Sequence, residues 1–296
     1  MRRIDLHLHS TYSDGSLSPT DLVELAHHAQ VGVLSLTDHD TTDGIAEASE
    51  AASWYDIEVI PGVEVSSLYR NKETHILGYF VNHENTQFQQ HLTFLRHSRH
   101  ERIPKIIDKL ESLGVNISYE DVKAAAGRGS IGRPHVARVL LEKHYVPTIE
   151  QAFSRYLKEG STAYVARQLP DAQEAIRWIR DAGGVASLAH PSWVRNSLSE
   201  LQIACQELKT FGLQAIEVYY SAHSPRQTSE YLNLAHRLNL VVTGGSDFHG
   251  STRPDINVGI GKGNLKIPEQ LLEQLRTCAA GNQKLYREQD KRQNSN

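Results

Sequence analysis

The amino-acid sequence predicts an α/β barrel that is interrupted once by an all-α segment. Over about the first eighty residues, short runs with β-type alternation are separated by helical patterns. The same alternation resumes after residue 164, whereas residues 87–164 show only helical periodicity. About seven strands separated by helices imply parallel strands with helical crossovers, which form an open sheet or a closed barrel. We favour the barrel.

The N-terminal elements follow from local periodicity and capping residues. Residues 4–9 alternate apolar and polar side chains at period two, as a strand does. Ser18, Pro19 and Asp21 supply an N-cap, a proline in the first turn and an early acidic residue, which predict a helix start. Three further strands are predicted at residues 33–37, 57–65 and 75–81.

The remaining elements divide the chain into a barrel and an insertion. The insertion is predicted to hold a long helix from about Leu92 to Leu110, followed by helices at 120–126, 134–143 and 149–156. Beyond it, helices at 171–182, 198–211 and 229–238 each precede a strand, at 185–189, 215–219 and 240–243, and a last helix spans 268–280. We therefore assign residues 1–86 and 165–286 to the barrel, 87–164 to a small all-α insertion domain, and 287–296 to a frayed polar tail.

Composition excludes several classes of protein. Hydrophobic residues make up 39% and charged residues 22% of the 296, which is ordinary globular usage and excludes a disordered or fibrous chain. No apolar run approaches the roughly 18 residues of a membrane helix. The two cysteines form no CxxC pair, so we expect neither a disulfide framework nor a thiolate cluster, and with no export signal we expect a cytoplasmic protein. The net charge of −4 disfavours duplex nucleic acid.

The 16 histidines are the most informative feature of the composition, because many of them lie at predicted strand ends. His7 and His9 share one face of the first strand, since they are two residues apart. In α/β barrels, catalytic groups converge at the rim where the strands end. The nine residues of metal-ligand type at this rim are His7, His9, Asp14, His39, Glu64, His75, His190, Asp247 and His249.

These nine side chains predict a centre of several divalent ions. Without ions, many buried polar groups would be unpaired, at about 1–3 kcal/mol each. Imidazole and carboxylate without thiolate favour Mn²⁺, Zn²⁺ or Fe²⁺, and nine ligands are too many for one ion, so two or three fit. Such a cluster supports phosphoester hydrolysis, with one ion activating water as hydroxide and the others holding phosphate oxygens.

The motifs that carry these residues resemble the PHP (polymerase and histidinol phosphatase) family. They are IDLHLHS (4–10), SDG (13–15), TDHD (37–40), GVE (62–64), AHP (189–191) and SDFH (246–249), in family order. The resemblance implies a distorted (β/α)7 barrel, similar to a TIM barrel, that holds three metal ions, most plausibly Mn²⁺. It assigns the first ion to His7, His9, Glu64 and Asp247, the second to Glu64, His75 and His190, and the third to Asp14, His39 and His249. Asp5 and Asp38 resemble residues that orient neighbouring histidines.

The segment GSIGRPHVA (129–137) is similar to the helical insert of the nucleoside 3′,5′-bisphosphate phosphatase branch, whose members also act as 5′→3′ exonucleases on short RNA. Arg133 offers a planar fork of donors for a phosphate, and His135 lies beside it. Arg99 and Arg102, three residues apart on one predicted helix, could grip the phosphate that is not cleaved. We expect these four residues to bind substrate.

The resulting prediction is a metal-dependent phosphoesterase that acts on nucleoside 3′,5′-bisphosphates or short single-stranded RNA, and on neither duplex DNA nor a membrane. Asp14 and His39 are expected to be catalytic as ligands of the third ion, and His223 is a candidate acid for the leaving group. Trp193 and Tyr220 could stack on a base, but core packing is the favoured role of both.

Three alternatives follow from the same motifs. Histidinol-phosphate phosphatase, or another small-metabolite phosphatase, is the closest, although a cationic substrate would favour a carboxylate pocket over arginines. Amidohydrolase-type hydrolysis of a C–N bond usually employs a lysine that bridges the metals, and here Glu64 takes that place. A non-catalytic polymerase-associated module is disfavoured by the intact ligand set and by the lack of a polymerase domain.

Overall fold

A computed structural model describes residues 2–127, 129–194 and 197–293, and it confirms the α/β barrel. Seven strands form one sheet in sequence order. They are β1 (Arg3–Leu8), β2 (Val31–Leu36), β3 (Glu58–Tyr69), β4 (Lys72–Tyr79), β5 (Val185–Leu188), β6 (Ala215–Tyr220) and β7 (Val241–Gly245). All seven predicted strands are therefore present, with ends that differ by a few residues.

The barrel is nearly closed by contacts between its first and last strands. Phe248, just after β7, bridges to Leu8, and the amide of His9 donates to the carbonyl of Phe248 (3.0 Å). The amide of Asp247 donates to the carbonyl of His7 (2.9 Å). Gly245 makes this approach possible, because a Cβ there would lie 2.2 Å from the Cβ of His7. Closure thus brings ligand residues from the two ends of the chain side by side.

The direction of β4 differs from the expectation of parallel strands joined by helices. β4 pairs antiparallel with both β3 and β5, whereas the other four pairings in the sheet are parallel. The reversal follows a two-residue turn at Arg70 and Asn71, both with positive φ, which forms a tight hairpin. The first half of β4 therefore lies at the rim where its parallel neighbours end, which explains how His75 reaches that rim. The strand begins at Lys72 and not, as predicted, at His75.

Eleven helices occur in the described residues, and they surround the sheet or form the insertion. They are α1 (Pro19–His28), α2 (Ile45–Ala52), α3 (Thr86–Ser112), α4 (Tyr119–Ala126), α5 (Arg133–Glu142), α6 (Ile149–Ala152), α7 (Ala172–Asp181), α8 (Pro191–Val194), α9 (Leu198–Thr210), α10 (Pro225–Leu238) and α11 (Gln270–Gln293). Ser18 caps α1 as predicted, by accepting from the amide of Asp21. The sequence patterns missed α2, which is rich in alanine and has few large apolar residues to mark its period.

The second half of α3 and helices α4 to α6 share a hydrophobic core of their own, whereas Phe88, Leu92 and Leu95 in the first half of α3 pack in a barrel core. Ile106, Leu110, Val122 and Leu140 are fully buried in the insertion core, and the barrel cores are made of other residues. After α6 the chain makes one wider π-helical turn, Phe153–Leu157, before it returns to the barrel. These helices thus form a packed unit with a core separate from those of the barrel.

The C-terminal helix is longer than predicted. α11 continues through Gln293, so most of the segment expected as a frayed tail is helical, and residues 294–296 lie outside the described residues. A polar stretch lacks the apolar period on which the prediction relied, yet it can extend a helix that is already nucleated. None of the helices described is both long enough and apolar enough to span a bilayer.

The barrel seam provides a test of the fold. Gly245→Ala would force β7 away from His7, and we expect a loss of about 1–3 kcal/mol in the free energy of unfolding. Gly281→Ala is the matched control, because Gly281 is exposed within α11 and a Cβ there meets nothing within 4 Å. This control should stabilise the protein by roughly 0.5–1 kcal/mol. Urea unfolding measures the free energy of unfolding of both variants. Equal effects of the two substitutions would contradict the close contact between β7 and His7.

Candidate metal centre

The centre of the site is the carboxylate of Glu64 on β3, which is 1% exposed. It faces the imidazoles of five histidines from four different strands or strand ends. The distances are 2.8 Å from Oε1 to His75 Nδ1, 2.8 Å from Oε1 to His190 Nε2, 3.0 Å from Oε2 to His39 Nδ1, 3.2 Å from Oε2 to His9 Nε2 and 3.3 Å from Oε2 to His7 Nε2. One buried carboxylate therefore contacts more than half of the expected ligands.

The first expected ion site has the geometry of a ligand shell. His7, His9, Glu64 and Asp247 each direct one donor atom to a common point. The measured separations of these donors are 3.1–3.5 Å. Donors that share an ion at about 2.1 Å lie roughly 3.0–3.4 Å apart, so this set fits a single divalent ion.

The other expected ligands surround two neighbouring points. Asp14, His39 and His249 converge together with His9, and His39 also converges with Glu64 and His75. His190 lies against the same Glu64 oxygen as His75. The structure thus brings all nine residues into one cluster, with His9, His39 and Glu64 each placed between two groups.

Unpartnered polar atoms inside the cluster indicate that it is built for cations. His39 Nδ1 and Glu64 Oε2 are buried and lie 3.0 Å apart, but neither makes a hydrogen bond of acceptable geometry with any part of the chain that the structure describes. Such atoms are costly to bury unless a ligand satisfies them. Nitrogen and carboxylate donors at these separations fit divalent metal ions.

Electrostatics keep the carboxylates of this cluster ionised. Burial alone would raise the pKa of Asp14, but the nearby charges of His249 and His39 outweigh it and hold that pKa well below its usual range. Burial likewise would lower the pKa of His9, yet hydrogen bonds to Asp247 and Glu64 raise it to about 9. The carboxylates of the cluster therefore carry negative charge, which either protonated imidazoles or bound cations can balance.

Glu217 on β6 is a supporting residue that the sequence analysis missed. His7 Nδ1 donates to its Oε1 (2.8 Å), and the amide of His190 donates to its Oε2 (2.6 Å). The bond fixes the His7 tautomer and leaves the Nε2 lone pair directed into the cluster. The signal in the sequence was a lone acid within an otherwise aliphatic and aromatic strand, AIEVYY.

Asp5 and Asp38 contact the backbone and hydroxyl groups near the expected ligands, and the amide of His7 itself donates to Asp5 Oδ1 (3.4 Å). Asp5 accepts from the amides of Ser246 and Gly259 (2.8 and 2.7 Å). Asp38 accepts from the hydroxyl of Ser13 (2.5 Å), whose oxygen lies 3.5 Å from Nδ1 of His9. Neither carboxylate accepts a hydrogen bond from an imidazole ring in these contacts. Each instead holds a segment of the chain that carries expected ligands.

A cavity of about 170 Å³ opens from the metal ligands towards the insertion. Asp14, His39 and His75 form one wall, and five arginines contribute to the rest. These are Arg99, Arg102, Arg133, Arg167 and Arg253, of which the sequence analysis missed the last two. Neither missed residue belongs to a recognisable motif, since Arg167 follows the insertion and Arg253 follows a short turn.

Most of these arginines already have carboxylate partners. Arg99 Nε and Arg167 Nη1 donate to Asp40 Oδ2 (2.7 and 3.1 Å), and Arg133 Nη2 donates to Glu73 Oε2 (2.8 Å). Arg253 donates to Asp247, a member of the metal-ligand set. Their positive charge is thus partly neutralised within the protein.

Arg102 on α3 differs from the others. Its Nε and Nη2 are buried and have no hydrogen-bond partner among the described residues. Its guanidinium lies 5.1 Å from the ring centre of Tyr164. Burial first, and then the positive charge of Arg133, lower its pKa. An anion in the cavity would satisfy both free donor atoms.

The structure places His135 and His223 away from this cavity lining. His135 is buried at the start of α5, where its Nδ1 accepts from the amide of Gly132 (3.0 Å). His223 Nδ1 donates to the carbonyl of Val218 (2.9 Å), and its ring packs between Tyr220 and Tyr231. His223 lines a second cavity, of about 390 Å³, beside α10.

Comparisons with known proteins agree with this geometry. The PHP domain description matches residues 5–187. A 5′-3′ exoribonuclease from Haemophilus influenzae is 37% identical over 255 residues, 84% of this chain and 90% of that protein. A 3′,5′-nucleoside bisphosphate phosphatase from Chromobacterium violaceum is 33% identical over 260 residues, 88% of this chain and 91% of that protein.

A similar architecture is known from a solved structure. A metal-dependent phosphoesterase from Bifidobacterium adolescentis has a TM-score of 0.84 at 28% identity, and the match covers 94% of this chain and 96% of that one. The metal-ligand cluster, the nearly closed seven-stranded barrel and these matches lead to one conclusion: the chain belongs to the PHP domain family of metal-dependent phosphoesterases.

Proposed function

We propose that this protein hydrolyses phosphate esters of nucleoside 3′,5′-bisphosphates and of short 5′-phosphorylated RNA. One observation carries the proposal: the metal-ligand cluster and the unpartnered guanidinium of Arg102 line the same small cavity. A substrate with one phosphate at the ligands and a second phosphate at Arg102 would satisfy both. The two relatives above are named for substrates of this kind.

The proposed cofactor is a set of three divalent ions, with Mn²⁺ as the first choice and Zn²⁺ or Fe²⁺ as alternatives. His7, His9, Glu64 and Asp247 would hold one ion. Glu64, His75 and His190 would hold a second, and Asp14, His39 and His249 a third, with His9 close enough to join it. Bound divalent ions activate water and neutralise charge on phosphate oxygens.

The insertion, residues 87–164, acts in this proposal as a substrate-binding cap. α3 contributes Arg99 and Arg102, and the start of α5 contributes Arg133. Asp40 and Glu73 hold Arg99 and Arg133 in fixed positions. Arg102 therefore makes the main contact with the distal phosphate, while Arg99 and Arg133 add positive potential, and His135 supports the loop that carries Arg133.

Asp14 and His39 line the cavity and form the proposed catalytic wall. His223 remains the proposed acid for the leaving group: its Nε2 has no hydrogen-bond partner among the described residues, although burial lowers the pKa of the imidazole and so disfavours its protonated form. Because His223 contacts Tyr220 and not this cavity, a leaving group would have to reach past Tyr220 to meet it. A cavity of about 170 Å³ has no room for a duplex. Two free cysteines suit the cytoplasm that we propose for the protein.

The alternatives gain less support from the geometry. For histidinol phosphate, a free carboxylate should meet the amine, but Glu73 already accepts from Arg133 and lies 3.5 Å from Arg167. For amidohydrolase chemistry, no lysine occurs among the described residues that line the cavity. For a polymerase module, the relatives above match over most of their own length without a polymerase part.

Arg102→Ala should impair the bisphosphate reaction selectively. We expect kcat/KM for adenosine 3′,5′-bisphosphate to fall by roughly 10–100-fold, because hydrogen bonds to charged groups contribute about 1.5–3 kcal/mol. The rate with 5′-AMP or 3′-AMP should change little. Arg155→Ala is the matched control, since Arg155 also lies over a tyrosine ring (5.0 Å) but is exposed outside the cavity. An equal loss with mono- and bisphosphates would contradict a distal grip.

Glu64→Gln should remove metal from the protein. The substitution takes away the charge that five imidazoles face, so we expect the content of Mn²⁺ per chain after dialysis to fall by at least one ion, together with phosphatase activity. Glu58→Gln, an exposed position on the same strand, should keep both. Elemental analysis of the two variants measures the difference, and full metal retention in Glu64→Gln would argue against the assigned ligands.

Glu217→Gln should weaken metal binding without removing a ligand. We propose that Glu217 positions His7, and loss of such a partner typically lowers metal affinity by about 10–100-fold. Titration with Mn²⁺ should therefore show a raised activation constant, with activity restored at saturating metal. Activity that stays low at saturating Mn²⁺ would show that Glu217 acts in some other way.

A further inference from the structure

The size of the cavity limits how much of a nucleotide it can enclose. Its volume of about 170 Å³ is smaller than the roughly 300 Å³ at which small-molecule sites begin. Its walls are mainly charged, with metal ligands on one side and arginines on the other. A nucleoside bisphosphate held by its phosphates would therefore extend its base beyond the cavity, towards the rim.

Trp193 on α8 lies at this rim and is unusually exposed. Its residue surface is 53% exposed, and of the large apolar side chains exposed in the described chain it alone lines this cavity. Phe153 also lines the cavity, but it packs against the insertion core. The expectation that Trp193 packs in the core was wrong, because the helix that carries it is one turn long and ends at the barrel surface.

The indole is held in a defined relation to the metal ligands. The ring centre of the indole lies 4.4 Å from that of His190, and the backbone amide of Trp193 donates to the carbonyl of His190 (2.9 Å). The guanidinium carbon of Arg253 lies 5.6 Å from the indole ring, and Tyr220 meets it edge-on at 6.0 Å. An aromatic surface fixed beside a phosphate site is preorganised for a flat ligand group, which lowers the cost of binding.

From this placement we infer that Trp193 is a stacking platform for the nucleobase of the substrate. The inference rests on the proposed function and adds to it a requirement for an aromatic base at the rim. We expect little preference among the bases, because every base presents a π face. In an RNA substrate, the nucleotides after the first would extend out of the cavity past the same indole. Trp193 is thus a substrate-binding residue that makes no contribution to the chemical step.

The test compares two bisphosphates that differ only in the base. Trp193→Ala should raise KM for adenosine 3′,5′-bisphosphate by roughly 5–100-fold and leave kcat within about twofold. KM for the abasic analogue, 1,2-dideoxyribose 3,5-bisphosphate, should not change. Trp193→Phe should retain most of the affinity, and Trp54→Ala, at an exposed tryptophan outside the cavity, should behave like the parent protein.

Binding is measured separately by tryptophan fluorescence. Adenosine 3′,5′-bisphosphate should quench the emission of the parent protein and of Trp54→Ala but not that of Trp193→Phe, and the abasic analogue should quench none. Equal KM changes for both substrates, or quenching that persists in Trp193→Phe, would overturn the platform. A parent protein that hydrolyses neither compound with Mn²⁺ would instead refute the proposed function, and the quenching result would still decide the inference.

Discussion

The buried carboxylate of Glu64 is the constraint on which the rest of this structure depends. A negative charge in a nearly inaccessible position costs several kcal/mol unless positive charge compensates it, and five imidazoles that face it can do so only by taking up protons or by sharing metal ions with it. Ions resolve the conflict for all of these groups together. The same centre also constrains the strand topology. Asp247 and His7 meet only because β7 closes against β1, and Gly245 is needed for that close approach.

A second layer of charge surrounds this centre and is balanced differently. Asp40 pairs with both Arg99 and Arg167, and Glu73 pairs with Arg133, so these side chains are fixed in place and their positive charge is partly offset. Arg102 differs, because its Nε and Nη2 have no hydrogen-bond partner among the described residues. A guanidinium without a carboxylate partner among partnered neighbours selects a ligand by position more than by total charge. This arrangement explains how a protein of net charge −4 can bind anions without a broad basic surface.

The strands, most of the helices and the residues that meet in the cluster could be predicted from sequence because they leave local signals, such as the alternation in β1 and residues of ligand type near strand ends. The direction of β4 could not, because alternation is the same in either direction and the hairpin turn contains Arg70 where glycine or asparagine would have been recognised. Glu217 and Arg167 were missed for a related reason. Their roles come from partners distant in sequence, as with the bond from His7 to Glu217. The exposure of Trp193 likewise depends on where one helical turn meets the rim.

The two halves of the site differ in how freely they can change. The proposed metal ligands lie on the barrel strands or in the loops that follow them, and buried partners such as Glu217 hold some of them in place. Arg102 comes from an insertion with its own hydrophobic core, which can vary without disturbing the sheet. Substrate choice can therefore alter while the chemistry stays constant, as in barrels whose loops set their specificity. Trp193 does not fit this division, because it lies on the short helix that follows His190 and belongs to the barrel side. A nucleotide held by Arg102 from one side and Trp193 from the other would then be positioned by both parts of the protein, so that the phosphate at the metal ligands is set by two independent contacts.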